Sequence, residues 1–95
     1  MTIETQPFDA AEYLDDDETI AAFLSEALAT NDQAYICHAL GQVARVRGMA
    51  EIARRSGIKR EALYRALSKD GNPEFGTILS VIRSLGFRLE VNQQT

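Results

Sequence analysis

From Thr19 the apolar residues Ile20, Phe23, Leu24, Ala27 and Leu28 recur at steps of three and four, the period of a helix with one buried face. Ahead of them, the run Asp15-Asp16-Asp17-Glu18 supplies an aspartate to cap the first turn, and Glu18 suits the positive end of the helix dipole. This helix is expected to end near Thr30. Asn31 or Asp32 then caps a second, in which Tyr35, Ile36, Ala39, Leu40, Val43 and Val46 form a core-facing stripe; Arg45 and Arg47 occupy its last turn and Gly48 stops it. Phe75, Ile78, Leu79, Ile82 and Leu85 mark a final helix that Gly86 terminates. The intervening Asp70-Gly71-Asn72-Pro73 reads as a loop, with Gly71 expected in the left-handed cap conformation and Pro73 unable to prolong the helix before it. Phe87-Arg88-Leu89-Glu90-Val91 alternates apolar and charged residues, the period of a strand with one buried face. With no partner strand in the chain, it is expected to lie along the core or to pair with its copy across a dimer axis, the apolar face of the last helix being the alternative dimer contact. Upstream, residues 1–8 show no periodicity and Asp9–Leu14 spells a brief helical turn capped by Asp9.

Between Met49 and Leu67 the pattern becomes two short amphipathic segments hinged at Gly57, the layout of a helix-turn-helix. Ala53 has almost no side chain where the first segment must pass close to the second, and Gly57 can take the positive φ that a sharp turn demands. Turning the second segment through about 100° per residue places Ile58, Ala62, Leu63, Ala66 and Leu67 on one half and Arg60, Glu61, Tyr64, Arg65 and Ser68 on the other. Lys59 falls at the apolar edge, at the helix start, where a long side chain reaches solvent. The expected fold class is all-α: a compact bundle of five helices with a short C-terminal strand. It divides into an acidic leader over 1–17, a helical helix-turn-helix domain over 18–86, and a strand and tail over 87–95.

Charge sharpens this picture. The net charge is -4, yet residues 1–32 hold nine acidic side chains and no Lys or Arg, whereas residues 33–95 hold ten basic and five acidic ones. From Arg45 to Lys69, eight basic residues stand against Glu51 and Glu61, so the motif is locally +6, the electrostatic footprint that a polyanion requires. A helix running from Lys59 to Ser68 is expected to enter the major groove. Arg60 and Arg65 can each form a bidentate pair with guanine, worth about 1–3 kcal/mol of discrimination. Tyr64 can touch a thymine methyl or give its hydroxyl to phosphate. Arg47, Arg54, Arg55 and Lys69 flank that face and are expected to neutralise the backbone. One such helix reads only a few base pairs, so specific binding calls for a homodimer on a palindrome with half-sites about 34–36 Å apart.

Composition excludes several classes. At 95 residues and 45% hydrophobic content the chain supports one domain. The single cysteine, Cys37, cannot form an internal bridge and no basic-then-apolar leader follows Met1, which points to the cytoplasm. No apolar run approaches the roughly 18 residues that span a bilayer, so no membrane partner is expected. Cys37 and His38 point about 100° apart on a helix and have no second Cys or His, so neither a zinc site nor a Cys–His nucleophile is expected. Asp15, Asp16 and Asp17 lack the alternating spacing and closing glutamate of a calcium loop. No cofactor is expected, and the chain reads as a non-enzyme.

The order of features from Phe8 to Val91 resembles the probable addiction-module antidote proteins, small HigA-type antitoxins with an XRE/Cro-like, lambda-repressor-like helix-turn-helix. The residues that carry it are Phe8-Asp9-Ala10-Ala11-Glu12-Tyr13-Leu14, Glu18-Thr19-Ile20-Ala21-Ala22-Phe23-Leu24, Ala39-Leu40-Gly41, Val43-Ala44-Arg45 and Gly48-Met49-Ala50. They continue through Ile52-Ala53, Gly57-Ile58, Glu61, Leu63-Tyr64, Ala66-Leu67 and Gly71-Asn72-Pro73 to Leu85-Gly86. The leader and the Gly-Asn-Pro loop are the more discriminating parts. The resemblance implies an antidote that represses its own promoter on double-stranded operator DNA and neutralises a small basic RelE/ParE-like toxin encoded beside it. It places the DNA-reading positions on Lys59, Arg60, Tyr64 and Arg65. The wider motif often begins its second helix with Ser or Thr, whereas this chain has Lys59 and forfeits a cap worth about 0.5–2 kcal/mol. The competing readings are a stand-alone XRE-family repressor without a toxin partner, and a helical module whose basic surface meets an acidic protein.

Overall fold

A computed structural model describes residues 14–94 of the chain. Helices account for all of the regular structure among them: α1 Asp17–Ala29, α2 Gln33–Arg47, α3 Met49–Ser56, α4 Arg60–Ala66 and α5 Phe75–Ser84. The expected turn over Asp9–Leu14 and the aperiodic residues before it lie outside the described residues, except for Leu14, which is fully buried.

Aspartates open the two longest helices. Asp16 Oδ1 accepts from the Thr19 amide at 2.7 Å, and Asp32 Oδ1 accepts from the Tyr35 amide at 3.2 Å, each satisfying a donor that the first turn leaves without a partner. Of the two candidates for the second cap, Asp32 takes the role while Asn31 makes the bend at φ 58°. The bond from the Thr19 amide is the first cause holding the Asp16 carboxyl below its ordinary value. A depressed carboxyl contributes stability above the ordinary carboxylate range and loses it as pH falls through the folded-state value. Asp16→Ala is therefore expected to lower the melting temperature by a few degrees at neutral pH. The gap from the parent protein should shrink in strong acid, and a pH-independent gap in thermal melts would contradict the assignment.

α1 packs on α2, α2 on α3, and α3 in turn on both α4 and α5. Ile20, Leu40, Val43, Leu63, Leu67 and Val81 are buried at the centre of this arrangement. Each such side chain contributes about 1.5–3 kcal/mol by leaving water. Two residues of the expected apolar stripes stay outside: Tyr35 is 47% exposed and Phe75 68% exposed. Both stand in the opening turn of their helices, where the stripe emerges from the bundle formed by the described residues. No helix among the described residues is long and apolar enough to cross a membrane.

The expected strand over Phe87–Val91 does not form; residues 87–94 run without strand pairing. Phe87 packs on the core, but Leu89 is exposed and Val91 is 99% exposed. Alternation gives a segment two faces; ladder hydrogen bonds make it a strand, and the described chain has no second strand to supply them.

Candidate nucleic-acid interface

The basic segment is built around two glycines and a serine. Gly48, at φ 104°, closes α2 through its amide to the Arg45 carbonyl and opens α3 by accepting from the Ile52 amide at 3.1 Å. Gly57 ends α3 in the left-handed region at φ 77°, as the sharp turn requires, and its amide donates to the Ala53 carbonyl at 3.0 Å. Ser56 ties the turn down, its hydroxyl donating to the Ala53 carbonyl and accepting from the Ile58 amide at 3.2 Å. The chain thus folds a corner between α3 and α4.

α4 is shorter than the expected Lys59–Ser68 span, running from Arg60 to Ala66. Lys59 opens it without a side-chain cap, as its lack of a suitable acceptor requires. Ser68 lies past its end and donates its hydroxyl back to the Arg65 carbonyl at 2.9 Å. Gly71 is absent from the positive-φ residues, which corrects the left-handed cap expected there. Its importance is space: a Cβ would lie 2.6 Å from the Arg65 carbonyl oxygen, so only glycine lets the loop fold against the end of α4.

The two halves of α4 separate as the helical wheel requires. Leu63 and Leu67 are fully buried, Ala62, Ala66 and Ile58 are half-buried, and Lys59, Arg60, Glu61, Tyr64 and Arg65 are exposed. Lys69 is exposed just beyond. Among the described residues the ion pairs join Arg47 to Asp17, Arg54 and Arg55 to Glu51, and Arg88 to Glu90. Among the described residues Lys59, Arg60, Arg65 and Lys69 make no ion pair, although Glu61 is exposed on the same helix.

The flanking cations behave differently. Arg47 holds Asp17 of α1. Glu51 accepts from Arg54 Nε at 3.2 Å and from Arg55 Nε at 2.8 Å, and these bonds, Arg54's first, hold the Glu51 carboxyl below its ordinary value while raising Arg54. Arg55 also donates to the Ser84 carbonyl at 3.3 Å, which turns it toward α5. The eight residues singled out from sequence thus resolve into four cations on or beside α4 that make no ion pair among the described residues, Tyr64 in their midst, and three arginines already engaged by carboxylates.

One neighbour escaped the sequence reading as a site residue. Arg45, exposed in the last turn of α2, places its guanidinium carbon 5.8 Å from the centre of the Tyr64 ring. No local periodicity marks that contact; the only trace in the sequence is Gly41, one turn earlier, where a Cβ would collide with the Leu67 carbonyl and so keep α4 away from α2.

Cys37 is buried, which pushes its thiol up, whereas His38 beside it is exposed, so the pair does divide between the two sides of α2. No group of three or more His, Cys, Asp or Glu side chains among the described residues lies close enough to hold a metal ion.

Comparison with known proteins gives this geometry a context. The model of the family described as probable addiction module antidote protein matches residues 4–93. A protein of Haemophilus influenzae (strain ATCC 51907 / DSM 11121 / KW20 / Rd), described as uncharacterized, is 44% identical over 93 residues, covering 98% of this chain and 96% of its own length. No solved structure matches the chain. By a family match across nearly its whole length, and by its likeness to that relative, the chain belongs to the family of probable addiction module antidote proteins.

Proposed function

We propose that this protein is the antitoxin of a type II toxin–antitoxin module, with α3 and α4 acting as an XRE/Cro-like helix-turn-helix of the HigA kind. It binds operator DNA, represses its own promoter in the cytoplasm, and neutralises a small RelE/ParE-like toxin; it is not an enzyme. The observation that carries the DNA-binding half is the outer face of α4, where Lys59, Arg60 and Arg65 surround Tyr64 with no ion pair among the described residues while Leu63 anchors the opposite face. Membership of the antidote family supports the other half. Asp15, Glu18 and Glu26 are exposed on and before α1, and that acidic surface favours encounter with a basic, RNA-cleaving toxin.

A homodimer on a two-fold operator follows from the small footprint of one helix. Two apolar surfaces are open to that dimer contact: the start of α5, where Phe75 is exposed, and the tail over Phe87–Val91, whose pairing with its own copy would form only in the dimer. Phe75→Asp is expected to leave a folded monomer with weak operator binding; sedimentation showing an unchanged dimer would remove that surface from consideration.

The deciding experiment is a gel shift on the protein's own upstream region, with and without the product of the neighbouring gene. Retardation by the protein alone, together with copurification of the neighbouring product, is the expected result. Binding to the duplex without any copurifying partner would leave a stand-alone repressor, and no retardation at low salt would overturn the DNA-binding role.

A further inference from the structure

Arg45 belongs to α2, yet it meets the exposed face of α4. The approach is built in at Gly41: with no side chain there, the Leu67 carbonyl at the end of α4 comes down onto α2, and a Cβ at that position would stand 3.4 Å from Arg45 Nη1. The guanidinium is thereby held near the Tyr64 ring, with 5.8 Å from Cζ to the ring centre, within the range of cation–π attraction. Neither group is consumed by the contact. Arg45 is exposed and forms no ion pair among the described residues, and the Tyr64 hydroxyl makes no hydrogen bond there although the residue is 39% exposed. One turn earlier on α4, Arg60 shares the face of Tyr64.

We propose that Arg45 and Tyr64 form a two-helix clamp for one backbone phosphate of DNA, beside the bases that Arg60 reads, an inference that rests on the DNA-binding role above. The phenol donates its O–H to one phosphate oxygen and the guanidinium donates N–H to another, supplying the charge. Each holds the other in place before DNA arrives, so little rotamer freedom is lost on binding. Because Arg45 comes from a separate helix, the clamp also fixes the angle at which α4 meets the duplex; a contact from α4 alone would let the helix roll. Arg45 is thus a positioning residue for α4 as well as a phosphate ligand.

The test is fluorescence anisotropy with a labelled duplex from the protein's own upstream region, repeated across a range of salt concentrations, on the parent protein, Arg45→Gln, Arg45→Lys, Tyr64→Phe and the double variant Arg45→Gln/Tyr64→Phe. Arg45→Gln is expected to weaken binding on the order of tenfold. It should also lower the slope of log affinity against log salt by about 0.9, the signature of one lost phosphate contact. Arg45→Lys should keep the slope but not the full affinity, since an ammonium lacks the planar donor fork. Tyr64→Phe should weaken binding with the slope intact, and the double variant should fall short of the sum of the single losses. In the unaltered protein, a duplex carrying a single uncharged methylphosphonate, moved stepwise along each strand, should reproduce the Arg45→Gln loss at one position in each half-site. Arg45→Gln should be insensitive to that same replacement. A parent protein that binds, with Arg45→Gln keeping its slope and its sensitivity to every methylphosphonate, would overturn the clamp while leaving DNA binding intact. A parent protein that fails to bind the duplex at low salt would overturn both.

Discussion

Replacing Arg60 and Arg65 together by alanine is expected to abolish specific operator binding while leaving the helical circular dichroism unchanged. Each guanidinium that forms a bidentate pair with guanine carries about 1–3 kcal/mol of discrimination. Losing both therefore costs roughly 2–6 kcal/mol, between about thirtyfold and about twenty-thousandfold in affinity. The fold has little stake in either side chain. Both are exposed, neither joins an ion pair among the described residues, and alanine is the better helix former at each position. Arg60 also opens α4, where a cation opposes the helix dipole, so its removal is neutral or mildly favourable to the helix. Residual binding should be weak and insensitive to base sequence, because Lys59 and Lys69 still offer charge to phosphates. Anisotropy curves for operator and scrambled duplexes would converge in the double variant. Curves that stay apart as in the parent protein would exclude α4 as the reading element.

The second large effect concerns stability. Gly41→Ala adds one methyl group where α2 meets the end of α4, and the group it strikes is the Leu67 carbonyl, which is backbone and cannot rotate aside. Helix propensity alone would make this change favourable by nearly 1 kcal/mol. The collision outweighs it, since overpacking a close contact commonly costs about 1–3 kcal/mol and more when backbone must shift. At the upper end of that range, where backbone must shift, the net loss is roughly 2 kcal/mol, which lowers the melting temperature by about 8–16 °C for a domain of this size. Because α4 is pushed off α2, operator affinity should fall with stability, and the Arg45–Tyr64 contact should be lost. Thermal melts showing Gly41→Ala equal to or above the parent protein would refute the close approach.

Much of this architecture could be read directly from residue spacing. The α1 stripe of Ile20, Leu24 and Ala27, the stop at Gly48, the corner at Gly57 and the division of α4 into a Leu63 side and an Arg60 side each follow from local chemistry that a short window contains. What spacing missed was set by contacts distant in sequence. Tyr35 and Phe75 keep helical register with their buried neighbours, yet the bundle stops short of them. Phe87–Val91 has the alternation of a strand, but a ladder needs a partner that no pattern within the segment can reveal. Gly71 is required by the carbonyls it lies against and not by its own dihedral angle, and Arg45 joins the α4 face only because Gly41 admits it. Of the candidate interface, the cations of α4 were legible, whereas the pairing of Arg47 was not, because Asp17 comes from another helix; the Glu51 pairs with Arg54 and Arg55 follow the i,i+3 and i,i+4 spacing of one helix and stood in the sequence to be read.

A single residue separates α2 from α3, Gly48, so this elbow has no slack. One extra residue inserted there would rotate the phase of α3 by about 100° and bring Glu51 to the bearing that Ile52 now occupies, driving a carboxylate toward the hydrophobic interior. A deletion would wind it as far in the opposite sense. Length variation among homologous chains is accordingly expected to accumulate beyond Phe87, and to leave the spacing from Arg47 to Gly57 untouched.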